Sequence, residues 1–360
     1  MHNGFMLFCA LNAVKGMVIN MEYNVDICHK ELLKKVKPTL AFDENCNYDS
    51  WRIEVKEKLI ELLGDMPEKT ELNIRVEWEK EDEEFIEKRI VFTSEKYVDV
   101  PCHLWIPKSA CAPVPAVICL QGHSTGMHIS MGRSIYQGDN ESISNGDRDF
   151  ARQIVKEGYA ALVLEQRGFG ERKSEAFLKF DPEARTTCWH PAMTAILLGR
   201  TLIGERVWDI SRAIDVLETM PEIDSKKIAV MGNSGGGTAT YYAACMDERI
   251  KIAMPSCSVC TFKDSIVAGV HCMCNYIPSM AKYLDMGDLA CLIAPRPLVM
   301  VSGELDHGFF IEGCRETAKT IADIYKSAGA EENFRFVVGE EGHRFYADMS
   351  WSAFRELSGW

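Results

Sequence analysis

Apolar positions along the chain follow two rhythms. In "ELNIRVEWEK", "KRIVFTSE" and "YVDVPCHLWIP", between residues 71 and 107, apolar and polar residues alternate. That two-residue period predicts half-buried strands, antiparallel to one another. From residue 114 the pattern changes to short, mostly continuous apolar runs: "VPAVICL", "YAALVLE", "KIAVMG", "IKIAMP", "RPLVMVSG" and "NFRFVVG". Such runs predict strands buried on both faces. Amphipathic helices separate most of them. Residues 205–220 place Val207, Trp208, Ile210, Ile214, Val216 and Leu217 at helical spacing, and residues 312–328 do so with Cys314, Ala318, Ile321 and Tyr325. A further helix is predicted over 51–65, with Ile53, Leu59, Leu62 and Leu63 on one side and Gly64 ending it. Strands alternating with helices imply crossover connections, hence an α/β fold with a mainly parallel central sheet, helices on both faces and an antiparallel N-terminal part.

Two intervals exceed ordinary connections, about 168–203 and 258–294. Each follows a strand, at the end where open α/β sheets bind ligands, so both are expected to be lid-like insertions. Residues 1–22 are expected to be a flexible leader, or a start placed too early with Met21 as the true one; 23–70 a helical extension; and 71–360 the main domain. "MHNGFMLFCALNAVKGM" lacks the basic flank and cleavage site of a signal peptide.

Composition narrows the chemistry. The chain has 360 residues, 47% hydrophobic, a net charge of −13 and a pI near 5.3. This acidity gives no reason to expect nucleic-acid or anionic-membrane partners, and no 18-residue apolar run predicts a membrane span. Fourteen cysteines are scattered, several inside apolar runs, as reduced thiols of a cytoplasmic protein would be. "CSVC" (257–260) and "HCMC" (271–274) carry zinc-type ligands, but the second lacks Cys-x-x-Cys spacing. Cys257, Cys260, Cys272 and Cys274 are therefore read as a reduced cluster. Neither a metal nor a cofactor is expected.

One turn stands out. In "KIAVMGNSGGGTATYYAA" a buried strand runs through Gly232-Asn233-Ser234-Gly235-Gly236 into a helix. A G-x-S-x-G turn in that context strains the serine backbone and lifts its Oγ above the sheet edge. A serine needs a base to take its proton, and the base needs an orienting acid. "RPLVMVSGELDHGFF" offers Asp306 just past a strand, with Glu304 nearby as the alternative. "FRFVVGEEGHRFY" offers His343 after the last strand, with His307 as a competitor. The loop "QGHSTG" offers the His123 N–H as a second oxyanion donor beside the Gly235 N–H, with Gly122 allowing close approach. Gly122, Trp189, His190 and His271 are candidate substrate contacts. Arg167, in "LEQRGFGE", is read as a structural anchor, because no nucleotide-type glycine fingerprint follows it.

"GNSGGG", "QGHSTG", "LEQRGFGE", "GERVWDISRAIDVLETMPEID", "HCMCNYIP", "IAPRPLVMVSGELD" and "GEEGHRFY" together resemble the acetylxylan-esterase-like branch of the α/β-hydrolases. That branch is related to dienelactone hydrolases and to the catalytic domains of prolyl oligopeptidases. The resemblance covers roughly residues 90–350. It implies the α/β-hydrolase fold, a Ser234–His343–Asp306 triad with His123 and Gly235 at the oxyanion hole, and a serine carboxylesterase acting through an acyl-enzyme on a small acetyl or other short-acyl ester, such as an acetylated sugar or xylo-oligosaccharide, with homo-oligomerisation left open. The chain departs from the pattern in having Gln121-Gly122 where relatives often carry His-Gly, and "DHGFF" where proline often follows the acid. The alternatives are a prolyl-oligopeptidase-like or dienelactone-hydrolase-like enzyme acting on a peptide or lactone. Only about 110 residues precede the first parallel strand, too few for a propeller. A scaffold kept for binding alone is a third reading, which the presence of every triad residue type disfavours.

Overall fold

The computed structural model describes residues 24–360, so the leader proposed for residues 1–22 lies outside the described residues. The chain divides between Val36 and Lys37. The first unit contains helix α1 (Val25–Lys35), whose Asn24 side chain caps its N-terminus. The second unit, Lys37–Trp360, contains everything that follows.

Its strands are β1 (Arg75–Glu81), β2 (Phe85–Glu95), β3 (Val98–Pro107), β4 (Val114–Leu120), β5 (Ala160–Leu164), β6 (Ile223–Asn233), β7 (Ile250–Ser256), β8 (Leu298–Gly303) and β9 (Phe334–Gly339). They form one sheet in the order β1-β2-β3-β5-β4-β6-β7-β8-β9. The alternating segments β1 to β3 pair antiparallel, and β3 meets β5 antiparallel. The continuous apolar runs pair parallel throughout. The two rhythms of the sequence therefore mark the two halves of the sheet.

Burial explains why. Along β4, Ala116, Ile118 and Leu120 enter one core while Val117 and Cys119 enter the other, and β6 divides Ile228 and Val230 from Ala229 and Met231 in the same way. One face is covered by α2 (Tyr48–Leu63), α7 (Leu202–Glu218), α8 (Gly235–Met246) and α9 (Ile311–Ser327). The other is covered by α4 (Phe150–Lys156) and α10 (Ala347–Ser358). The short helices α3 (Asp139–Ser144), α5 (Glu175–Phe180) and α6 (Trp189–Leu197) lie in the connections.

Three expectations change. Helix α2 buries Trp51, Val55, Leu59, Leu62 and Leu63, so it joins the second unit and the break falls at residue 36, not at 70. Ile53 lies off that stripe and is 59% exposed. The interval 258–294 is not mainly a flap: Val259, Phe262, Ile266, Met280, Leu284 and Leu289 are core residues, and exposure is concentrated near Val270.

A buried ionic network joins the connections to the helical layer. Asp209 of α7 accepts two hydrogen bonds from Arg167, both 2.8 Å, and one from Arg172 at 2.8 Å. Arg167 also meets Glu95 of β2 at 2.7 Å and Glu205 of α7 at 3.1 Å. Burial pushes the Asp209 carboxyl up, but the two guanidinium groups overcome it and hold the group well below its ordinary value. Removing one member of a buried ion cluster leaves its partners uncompensated. Asp209→Asn is expected to cost about 3–5 kcal/mol, read as a lower urea midpoint. A midpoint within error of the wild type would refute this anchoring role.

Candidate active site

Ser234 occupies a backbone conformation that L-residues seldom adopt, φ 56° and ψ −124°, between the last residue of β6 and the first of α8. Its N–H donates to the Ser256 carbonyl at 2.8 Å, tying the turn to β7, and its carbonyl accepts from the Thr238 N–H at 2.8 Å. The glycines are steric requirements. A Cβ at Gly236 would lie 2.1 Å from the Leu120 carbonyl oxygen, and one at Gly235 2.6 Å from the His123 ring. The turn is thus wedged against the end of β4 and the loop after it. Gly122 sits beneath the serine, where a Cβ would meet Asn233 O at 2.9 Å and the Ser234 Cβ at 3.0 Å.

Asp306 and His343 reach the same place from the ends of β8 and β9. His343 Nδ1 donates to Asp306 Oδ2 at 2.7 Å. The other carboxylate oxygen accepts the N–H groups of Gly308 at 2.8 Å and Phe309 at 3.2 Å. Burial would raise this carboxyl, but the imidazole and the two N–H groups outweigh it and lower it below the ordinary aspartate value. Phe309 stacks near-parallel to the imidazole at 6.1 Å. The loop carrying His343 is held from behind: Arg148 Nη2 donates to the His343 carbonyl at 3.3 Å, and Arg344 pairs with Asp147 at 2.8 Å. Of the rival residues, Glu304 is engaged by Arg315 at 2.6 Å, and His307 is an exposed residue on the rim of the cavity that holds Ser234, with no bond to Asp306 or Ser234 among the described residues.

Ser234, Asp306, His343, His123 and His271 all line one cavity of about 560 Å³. No hydrogen bond joins the Ser234 hydroxyl to His343 among the described residues; such contacts often tighten only once substrate is bound. The His123 N–H has no acceptor among the described residues. The Gly235 N–H opens α8, in the first turn where N–H groups lack intrahelical partners. His271 Nε2 lies 3.0 Å from the Gly308 carbonyl, on the cavity wall, where burial lowers the imidazole below its ordinary value.

Trp189 and His190 are corrections: neither lines this cavity. Helix residues step about 100° apart, and Cys188, Ala192 and Ala195 take the inward face of α6. Trp189 is left 49% exposed beside Phe177, and His190 Nδ1 lies 3.2 Å from the Ser174 hydroxyl.

The sequence points to no role for the interval 127–149. With Arg185 from the stretch before α7, it supplies a second, polar cleft of about 530 Å³ that shares His123 and His343 with the first and adds Glu141, Asn145 and Arg148. Arg148 bonds Ser142 Oγ at 3.0 Å, has no carboxylate partner among the described residues, and keeps its buried Nε unpaired. Burial lowers its guanidinium below the ordinary arginine value. The length of that interval was the available signal.

The sulfur chemistry is also arranged differently from expectation. Cys257 bonds the Arg344 carbonyl at 3.2 Å and Cys260 lies by the Phe310 carbonyl, so neither joins Cys272 and Cys274. Those two instead meet Cys188 and the His123 ring, with all four ligand atoms within 4.8 Å of one another. Cys257, Asp306 and His343 form a second close group, but the Asp306–His343 hydrogen bond already occupies it.

Behind the site lies Glu165. Its carboxylate accepts from Gln121 Nε2 at 2.7 Å and from the Met127 N–H at 3.1 and 3.2 Å, while Gln166 Nε2 donates to the Gln121 carbonyl at 2.6 Å. Gln121, a departure from the family pattern, thereby fixes the loop that carries His123.

The chain belongs to an abhydrolase family, whose model matches residues 23–336. It is 26% identical over 316 residues to the candidate hydrolase YtaP of Bacillus subtilis (strain 168), covering 86% of this chain and 99% of YtaP. Its structure is similar to that of a candidate acetyl xylan esterase from Bacteroides fragilis NCTC 9343, with TM-score 0.76, 16% identity, and 94% and 97% of the two chains covered. It is also similar to a glucuronoyl esterase from Solibacter usitatus, with TM-score 0.67, 16% identity, and 91% and 98% covered. The α/β-hydrolase fold expected from the sequence is the fold observed. No helix among the described residues is long and apolar enough to cross a membrane.

Burial pushes the Glu165 carboxyl up to about 7, against the N–H groups that lower it. Between its ordinary value of 4.5 and about 7 the folded chain binds the extra proton, so this residue's contribution to stability is complete below 4.5 and lost as pH rises through 7. Urea midpoints of Glu165→Gln measured across that window should fall less steeply with pH than those of the wild type. Parallel curves would exclude this titration.

Proposed function

We propose that this abhydrolase-family chain is a serine carboxylesterase that removes acetyl or similar short acyl groups from carbohydrates. The observation that carries the reading is the 2.7 Å His343–Asp306 hydrogen bond opening onto the cavity that also holds Ser234 on its strained turn. In this mechanism Nδ1 of His343 remains bound to Asp306, leaving Nε2 as the base for the Ser234 proton. The Ser234 oxygen attacks the ester carbonyl, and the resulting oxyanion is taken up by the N–H groups of His123 and Gly235. Asp306 holds the ring in orientation and stabilises its charged form. His343 returns its proton to the departing alcohol, then draws one from water, and the hydroxide releases the acyl group from Ser234.

Carbohydrate is the favoured alcohol because the cleft adjoining the site is polar. Glu141, Asn145, Arg148 and Arg185 line it with the donors and acceptors that sugar hydroxyl groups would need. The Bacteroides fragilis and Solibacter usitatus proteins are named for esters of sugars, which agrees with this choice. A cytoplasmic enzyme would meet small acetylated oligosaccharides rather than polymer.

Acetate release from acetylated xylo-oligosaccharides should fall at least about 10⁴-fold in Ser234→Ala and about 10⁴-fold in Asp306→Asn, with unchanged circular dichroism. A fluorophosphonate should label the wild type at Ser234. Acetyl, feruloyl and methyl esters and a prolyl amide, assayed side by side, identify the bond. Full turnover in Ser234→Ala, or faster cleavage of the amide, would overturn the proposal.

A further inference from the structure

His123, Cys188, Cys272 and Cys274 come from three separate stretches: the loop after β4, the interval before α7, and the interval after β7. Their Nε2 or Nδ1 and three Sγ atoms all lie within 4.8 Å of one another, and His123 Nε2 is 3.2 Å from Cys274 Sγ. A tetrahedral zinc ion with Zn–S near 2.3 Å and Zn–N near 2.0 Å sets its ligand atoms roughly 3.5–3.8 Å apart. The 3.2 Å His123–Cys274 separation and the 4.8 Å bound on the remaining ones bracket that spacing. Phe169, Ala192 and Leu202 pack with Cys188 and Cys274 in a small apolar core, the dry surrounding that favours metal–thiolate bonding.

Charge supplies the second, independent observation. Arg206 of α7 is 1% exposed and pairs with no carboxylate among the described residues. Its Nε and Nη2 donate to the Arg167 carbonyl at 3.2 and 2.7 Å, and Nη2 also donates to Cys188 Sγ at 3.1 Å. Its Nη1 is buried with no partner, and the guanidinium lies over the Phe169 ring at 4.5 Å. A buried cation without a counter-charge is strongly unfavourable. Three neutral thiols supply no counter-charge, and neither does a disulfide. Three thiolates and a neutral imidazole around Zn²⁺ carry a net charge of −1, which matches Arg206.

We propose that His123, Cys188, Cys272 and Cys274 form a zinc site, with Arg206 as its buried counter-charge. On binding, the three thiols release three protons to solvent and the imidazole stays neutral. Four protein ligands close the coordination sphere, so the ion is structural and leaves no position for substrate. Its effect on the adjoining site is positional. It fixes the ring of the residue whose N–H faces the Ser234 cavity, and pins both long intervals to that residue. The metal site stands on its own geometry, and only this positioning consequence rests on the esterase reading.

The test is metal content and ligand-field spectroscopy, neither of which depends on any substrate. Full-length protein purified from zinc-supplemented cells should carry one zinc per chain by plasma mass spectrometry. The ion should be lost in Cys274→Ser and in Cys272→Ser, the latter at a half-buried position, and kept in Cys260→Ser. Exchange of the wild type with Co²⁺ should give sulfur-to-cobalt charge-transfer absorption and the intense visible bands of a tetrahedral site. Chelation should lower kcat for acetate release while Ser234 stays labelled by fluorophosphonate. Wild type that holds neither Zn²⁺ nor Co²⁺ after loading and desalting would overturn the site, as would a disulfide among Cys188, Cys272 and Cys274 in the isolated protein. Bound zinc in a chain with no esterase activity would instead refute the proposed function and leave the site standing.

Discussion

The contact on which the site depends is between two pieces of backbone. The turn at Ser234 presses so closely on the end of β4 that Gly236 cannot carry a Cβ without striking the Leu120 carbonyl. That contact sets the height of the serine above the sheet and, in the same stroke, the distance between the Gly235 N–H and the loop carrying His123. Parallel pairing of β4 with β6 and of β6 with β7 makes the contact rigid, since Leu120 pairs with Gly232 and Asn233 with Ser256. The positive φ at Ser234 persists because the surrounding backbone leaves no relaxed alternative.

Buried polar groups add to apolar contact in holding the loops around this turn. Glu165 and Gln166, just past β5, grip the Gln121 segment from below. Arg167, the next residue, reaches instead to Asp209, Glu205 and Glu95. Three consecutive side chains therefore connect the loop after β4 to the α7 layer. Burying a polar group stabilises only when it is satisfied, so each link fixes one geometry. In a site built from loops, such links supply the positional accuracy that strands supply in the core.

How much of this was legible in the sequence depended on how local the cause was. Strand character and pairing sense followed from apolar rhythm, because burial on one face or two is written in every second residue. The serine turn was legible because its steric demands fall on adjacent glycines. Asp306 and His343 were recoverable only through chain order, and the structure does bring them to 2.7 Å. Trp189 lies off the cavity, which composition could not show because it does not give the rotation of a helix: the inward Cys188 and the outward tryptophan are adjacent in the chain. Ile53 failed for the same reason. The polar cleft and the regrouping of the cysteines were not legible at all. Cys188 stands more than 80 residues before Cys272, and only the folded connections bring the two together.

The arginines show where the fold alone leaves charge unbalanced. Arg212 is buried, Arg167 and Arg172 are half-buried, and each meets a carboxylate. Arg296 spends both Nη groups on the carbonyls of Ala244, Asp247, Ile250 and Leu292. Arg148 and Arg206 meet no carboxylate among the described residues, and each leaves part of its guanidinium without an acceptor while donating elsewhere to a carbonyl. Both belong to the surroundings of His123: Arg148 lines the polar cleft that His123 shares, and Arg206 touches the sulfur cluster that its ring joins. In a chain carrying 13 more acidic than basic charges, carboxylates are not scarce. Two cations left without them beside one histidine are best understood as halves of pairs completed from outside the polypeptide. Under the proposals above, Arg148 would meet a polar substituent of the substrate in the open cleft, and Arg206 the ion held by the sulfur cluster, whose His123 and Cys272 also line the Ser234 cavity.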